Sequence, residues 1–118
     1  MYIPEYQRDI YQAPSIRREW CVVCGKPATN NHHVIPNARH ETKDHPESPT
    51  ISLCGMGNAS GCHGKAHDHK LHFRAVPVKL ELYGGGVRIA YEWEYLETEP
   101  MDELQAHEIE DGWKVIRT

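Results

Sequence analysis

Four cysteines, Cys21, Cys24, Cys54 and Cys62, bracket a stretch crowded with histidine, and this arrangement constrains the chain more than any other feature. A CxxC turn places two sulfurs on one side of a tight bend, and a second pair about thirty residues later completes a tetrahedral set. Four thiolates so grouped are expected to enclose a structural zinc ion. The second pair, Cys54-x7-Cys62, is wider than usual, but the insertion GMGNASG is flexible and closure entropy grows slowly with loop length. The competing reading is four ordinary buried thiols.

A staple of this kind is needed. Hydrophobic residues make up 39% of the 118, with a single Phe, so an unaided core would be thin for a chain that reads as one domain. No stretch approaches the roughly 20 apolar residues of a membrane span. The opening MYIPEYQRDIYQ lacks the apolar run of a secretory signal, so a cytoplasmic location is expected, where thiols stay reduced and favour metal over disulfide. The net charge of −4 is unevenly spread: residues 1–80 carry ten Lys and Arg against seven Asp and Glu, residues 81–118 three against ten. A polyanion would favour the first part.

Along the chain, residues 1–19 read as an extended arm broken by Pro4 and Pro14, with Tyr2, Tyr6 and Tyr11 packing down on the domain or stacking on bases. CVVCGKPA is a tight turn. NHHVIP suits a strand end, where alternation sends His32 and His33 to opposite faces. The stretch from Asn37 to Pro49 reads as a loop, and TISLC as a short strand that ends at Cys54. From Cys62, CHGKAHDHKLH is expected to form two to three helical turns. Residues 71–83 are strand-forming but broken at Pro77, and GGG at 84–86 separates them from VRIAYEWEYLE, whose period-two alternation predicts a hairpin. The tail is expected to hold a short helix from Asp102 and a final short strand.

The nine histidines are a large excess for this length. His63 and His67, four apart, share a helical face and can reach one ion. Together with His32 and His33 they offer three ligands and one free imidazole, and three imidazoles leave coordination positions open, as a catalytic metal requires. Alternatively, His63 and His67 replace two cysteines at the zinc, or the histidines are surface residues. His69 and His72 fall off the shared face or beyond the helix and are not expected at the site.

The segments CVVC, HHVIP, LC and GCHGKAH, in this order, resemble the HNH nucleases of the ββα-metal group, in a phage or bacterial type where a zinc knuckle wraps the catalytic unit. The resemblance covers roughly residues 20–72. It implies an α+β fold: a small ββα-metal core stapled by a four-cysteine zinc site, with residues 73–118 adding a C-terminal antiparallel β-hairpin within the same domain. It also implies that His32, His63 and His67 bind the catalytic metal, that His33 is the general base, and that Cys21, Cys24, Cys54 and Cys62 hold the structural zinc. The family carries an Asn or His before the LC pair to orient the base. Here that neighbourhood reads ESPTIS, with His45 the upstream candidate for the role and Ser48 and Thr50 the weaker ones.

The implied reaction is single-metal hydrolysis of a nucleic-acid phosphodiester, with DNA the expected substrate and a 5′-phosphate product. An all-imidazole set suits Zn2+, Ni2+ or another transition ion, with Mn2+ or Mg2+ as labile alternatives. Arg17, Arg18, Arg39 and Lys65 are the candidate nucleic-acid contacts, and a larger phage or bacterial DNA-processing protein is a candidate partner. The main alternative is a non-catalytic zinc-knuckle module that binds nucleic acid or protein. A zinc hydrolase acting on another substrate is weaker, because no HExxH helix is present.

Overall fold

The computed structural model of the chain describes residues 5–35, 48–57 and 59–116. The chain is a mixed α and β structure with two antiparallel sheets and a cluster of four cysteines. Arg39 and His45 lie outside the described residues.

The N-terminal segment corrects one expectation. Glu5–Gln12 forms a helix, α1, instead of an extended arm. Tyr6, Ile10 and Ala13 are spaced four and three apart, the period of a helical stripe, and Ile10 and Ala13 are buried while Tyr6 packs against the core. Glu5 sits favourably in the first turn, and Pro14, which disfavours helical geometry at the residue before it, lies just past the end. Tyr6 packs down on the domain, with its ring 4.3 Å from that of His107 in a stacked pair.

Beyond α1 the chain runs along the first sheet. Strands β1, Asn30–His33, and β2, Thr50–Leu53, pair antiparallel with His32 opposite Ile51 and His33 opposite Thr50. Every residue of β2 is buried, because the segment around Ile16 covers its other edge. The Ile16 amide donates to the Thr50 carbonyl at 2.9 Å, and the Ser52 amide donates to the Ile16 carbonyl at 3.1 Å. The Ser52 hydroxyl receives the Arg18 amide at 2.8 Å, so a polar side chain is satisfied inside the core.

Helix α2, Gly61–His67, follows β2 and gives about two turns, the lower end of the expected length. The hairpin is present: β3, Leu71–Glu81, pairs along its whole length with β4, Val87–Glu97. The expected break at Pro77 does not occur. In the sheet order β3-β4-β5 the strand carrying Pro77 is an outer one, where a residue without an amide proton is tolerated. A short helix α3, Glu103–His107, is capped by the Asp102 carboxylate, which accepts from the Gln105 amide at 3.0 Å. Strand β5, Lys114–Val115, closes the second sheet against β4.

One buried cluster joins these parts. It runs from Ile10 and Ile16 through Ile51, Leu53, Leu71, Phe73 and Trp93 to Ile116. The Trp93 indole donates to the Pro14 carbonyl at 2.8 Å, tying the hairpin to the N-terminal segment. No helix among the described residues is long and apolar enough to cross a membrane.

Candidate metal centres

The sulfur cluster is assembled by two tight backbone devices. At the first, the Gly25 amide donates to the Cys21 carbonyl at 2.9 Å, and Gly25 takes a φ of +81°, a value that favours glycine. At the second, the chain leaves Cys54, doubles back, and returns at Cys62 with Gly55 and Gly61 in contact. A Cβ on Gly61 would lie 2.6 Å from the Gly55 Cα and 2.7 Å from the Cys54 carbonyl oxygen, and Gly61 also has φ +65°. This close approach is how a pair so widely spaced in sequence still delivers neighbouring sulfurs.

The sulfurs of Cys21, Cys24, Cys54 and Cys62 all lie within 4.8 Å of one another, and those of Cys24 and Cys54 are 3.4 Å apart. A zinc tetrahedron with bonds of about 2.3 Å has an edge of about 3.8 Å, so the set is compatible with a structural zinc site. The Cys62 amide points at the Cys54 sulfur at 3.4 Å. Burial works to raise the Cys21 thiol, but hydrogen bonds from the backbone at Cys24, Val23 and Cys54 and from the Cys62 side chain bring it down to about 7. Burial pushes the Cys24 and Cys62 thiols up, and for Cys62 the neighbouring sulfurs add to it. One thiolate is thus favoured and more are opposed, the pattern expected of sulfurs packed for a cation to share.

The second cluster is built from β1 and α2. The ring nitrogens of His32, His63 and His67 that face each other lie within 4.8 Å. The His32 ring meets those of His63 and His67 edge-on, at centroid distances of 5.1 and 5.3 Å. Spacing on α2 brings the Nε2 atoms of His63 and His67 to 3.1 Å. The edge of a tetrahedron built on metal–nitrogen bonds of about 2.0–2.1 Å is about 3.3–3.4 Å, so these two rings stand close to ligand geometry. Their tautomer is partly set: His63 Nδ1 donates to the Gly57 carbonyl at 2.6 Å, which leaves Nε2 with its lone pair toward the cluster.

Electrostatics favour neutral rings here. Burial, then the neighbouring His63, His67 and His33, lower the His32 pKa to about 3. Burial also lowers that of His63, opposed by the Gly57 carbonyl and reinforced by His67. A buried ring that cannot keep a proton is a ready metal ligand. Beside the triad opens a cavity of about 400 Å³, walled by Val34, Ala66, Leu71 and Phe73, with His32, His67, His69 and Glu103 as its polar lining.

The other candidate residues fall elsewhere. His33 is not part of the triad: it follows His32 on β1, is half-buried, and its Nδ1 is enclosed without a hydrogen-bond partner. Arg17 and Arg18 are exposed, as is Lys65, which lies 3.5 Å from the Glu97 carboxylate. The Ser48 hydroxyl receives the Ile35 amide and donates to the Pro49 carbonyl. His69 and His72 stay outside the triad. His72 is buried, with Nδ1 2.9 Å from Glu103 and Nε2 2.8 Å from the Thr98 hydroxyl, and it locks α3 to β3. The sequence reading missed the Gly57 carbonyl, Glu103 and His107; only the spacing of His107 from Glu103 hinted at a helical pair.

No protein-family model, no curated protein and no solved structure matches the chain.

Proposed function

We propose that the chain is a metal-dependent endonuclease of the HNH type, with β1, β2 and α2 as its ββα-metal core. The observation that carries this reading is the convergence of His32, His63 and His67, two from one face of α2 and one from β1, in a chain that also groups four sulfurs. Three imidazoles form an unsaturated set, and four sulfurs a saturated one, so one chain offers a site for structure and a site for chemistry.

A divalent ion held by the triad would polarise the phosphodiester and stabilise the charge that develops as the bond breaks. The protein's own residues do the rest. Gly57 fixes His63, burial keeps His32 unprotonated, and the exposed His67 completes the set from the open side. His33 removes the proton from the attacking water. Exposed Arg17, Arg18 and Lys65 provide charge for the phosphate backbone.

The test is plasmid nicking by purified protein in Zn2+, Ni2+, Mn2+ or Mg2+, comparing the wild type with His33→Ala and His67→Ala. Both substitutions are expected to abolish cleavage, His33→Ala with metal content unchanged and His67→Ala with loss of the second ion. Undiminished nicking by His33→Ala would remove that residue from the mechanism. DNA or protein binding without cleavage under any ion would point to a non-catalytic zinc-knuckle module.

A further inference from the structure

The β3–β4 hairpin extends beyond the core that one of its faces covers. Odd-numbered positions of both strands share the face on which Phe73, Ala75 and Trp93 are buried, yet further out the same face carries Lys79, Glu81, Val87 and Ile89, all exposed. Val87 and Ile89 keep 61% and 48% of their surface, and Tyr83, in the turn between the strands, is fully exposed. Neither Lys79 nor Glu81 has an ion-pair partner among the described residues. A phosphate backbone gains nothing here, because Lys79 and Arg88 are balanced by Glu81 and Glu92. Addition of a strand along the open edge of β3 is opposed as well. The Leu82 amide donates to the Gly86 carbonyl at 2.7 Å, so even-numbered residues of β3 carry the bonds to β4, and Pro77 turns a nitrogen without a proton to the open edge.

We propose that this face of the hairpin pairs with the same face of a second copy of the chain, about a two-fold axis that lies across the strands at the Leu80–Arg88 rung. Such an axis reverses the strand direction, so each residue meets the one equally far beyond the rung on the other copy. Lys79 then lies over the partner's Glu81 and Ile89 over the partner's Val87, and the reverse contacts follow by symmetry. One operation thus yields two ion pairs and two apolar contacts. Tyr83 stands three positions beyond the rung, which brings it to the level of the Pro77–Tyr91 rung on the other copy. A recess of about 500 Å³ opens there, walled by Gln12, Pro14, Arg88, Ile89, Ala90 and Tyr91. An exposed tyrosine and a recess at matching distances from one axis make a knob and its hole, and tyrosine is a frequent anchor of protein interfaces. The face is only two strands wide, so the pair belongs to the weak, concentration-dependent class that buries less than about 1,200 Å². It depends neither on the metal centres nor on the nuclease reading.

The experiment is analytical ultracentrifugation of the zinc-loaded full chain, from a few to a few hundred micromolar, on the wild type, Lys79→Glu, Glu81→Lys, the double variant carrying both changes, and an equimolar mixture of the two single variants. Both positions are exposed, so all the variants are expected to keep the wild-type thermal transition. The wild type is expected to pass from monomer to dimer as concentration rises. Lys79→Glu sets carboxylates against carboxylates across the axis and Glu81→Lys sets ammonium groups against ammonium groups, so each is expected to raise the dissociation constant on the order of tenfold or more. The mixture restores every opposite-charge pair between unlike copies, and the double variant restores it between like ones; both are expected to associate as the wild type does. Tyr83→Ala is expected to weaken association too. A wild type that stays monomeric throughout, single variants that associate like the wild type, or a mixture no tighter than its components overturns the proposal.

Discussion

Replacing Gly61 by alanine is expected to open the seam between the two arms of the Cys54–Cys62 loop. The new Cβ would sit 2.6 Å from the Gly55 Cα and 2.7 Å from the Cys54 carbonyl oxygen, both backbone atoms with no side-chain freedom. Ordinary contact begins at 3.4 Å, so the two chain segments must part by roughly 0.7–0.8 Å. Overpacking of that kind costs about 1–3 kcal/mol. The left-handed φ of +65° adds about 1–2 kcal/mol for any residue with a Cβ, giving a total of about 2–5 kcal/mol. Gly57→Ala is the control, since it has φ +57° with nothing within 4 Å of the added carbon and incurs the backbone term alone. Urea denaturation of both variants, with zinc measured per chain, gives the comparison. Gly61→Ala should lose the larger share of stability and bind zinc more weakly. Equal unfolding midpoints for the two variants, at equal zinc content, would refute the idea that the Gly55–Gly61 approach closes the cluster.

Cys24→Ser is expected to weaken zinc binding and, with it, cooperative folding, because metal binding at a four-sulfur site is coupled to the folded state; a zinc-free Cys24→Ser protein with a sharp thermal transition would contradict this. Acid should weaken the wild type more than His32→Leu. The folded-state pKa of His32 is depressed to about 3, so the stability contributed by its neutral ring is complete above the unfolded value of about 6.5 and is lost progressively as pH falls from there toward about 3. Between pH 7 and 5.5, protonation of the unfolded ring amounts to about 1 kcal/mol in the wild type and to nothing in His32→Leu, and parallel pH profiles of denaturant midpoints in the two proteins would count against it.

The sites were legible where chemistry is written in spacing. The interval between His63 and His67 places two rings on one helical face whatever the rest of the chain does, and a CxxC turn holds its sulfurs together by local geometry alone. The alternation in VRIAYEWEYLE likewise announces β4. What could not be read depended on contacts between distant segments. Helix α1 was hidden because its stripe of Tyr6, Ile10 and Ala13 is only two turns long and lies between prolines, so burial under the sheet, not local pattern, decides it. Pro77 looked like a break because nothing local tells an outer strand from an inner one. The role of the Gly57 carbonyl rests on a loop that folds back on itself, and the role of His72 on a carboxylate thirty-one residues away. Residue identity carries no trace of either.

The return loop from Cys54 to His63 belongs to both clusters. Its ends supply two sulfurs, its middle orients an imidazole through Gly57, and the His63 amide is hung on the Cys54 carbonyl at 2.9 Å. The two clusters are therefore mechanically linked: a change that displaces this loop at its sulfurs is expected to displace the His63 ring as well.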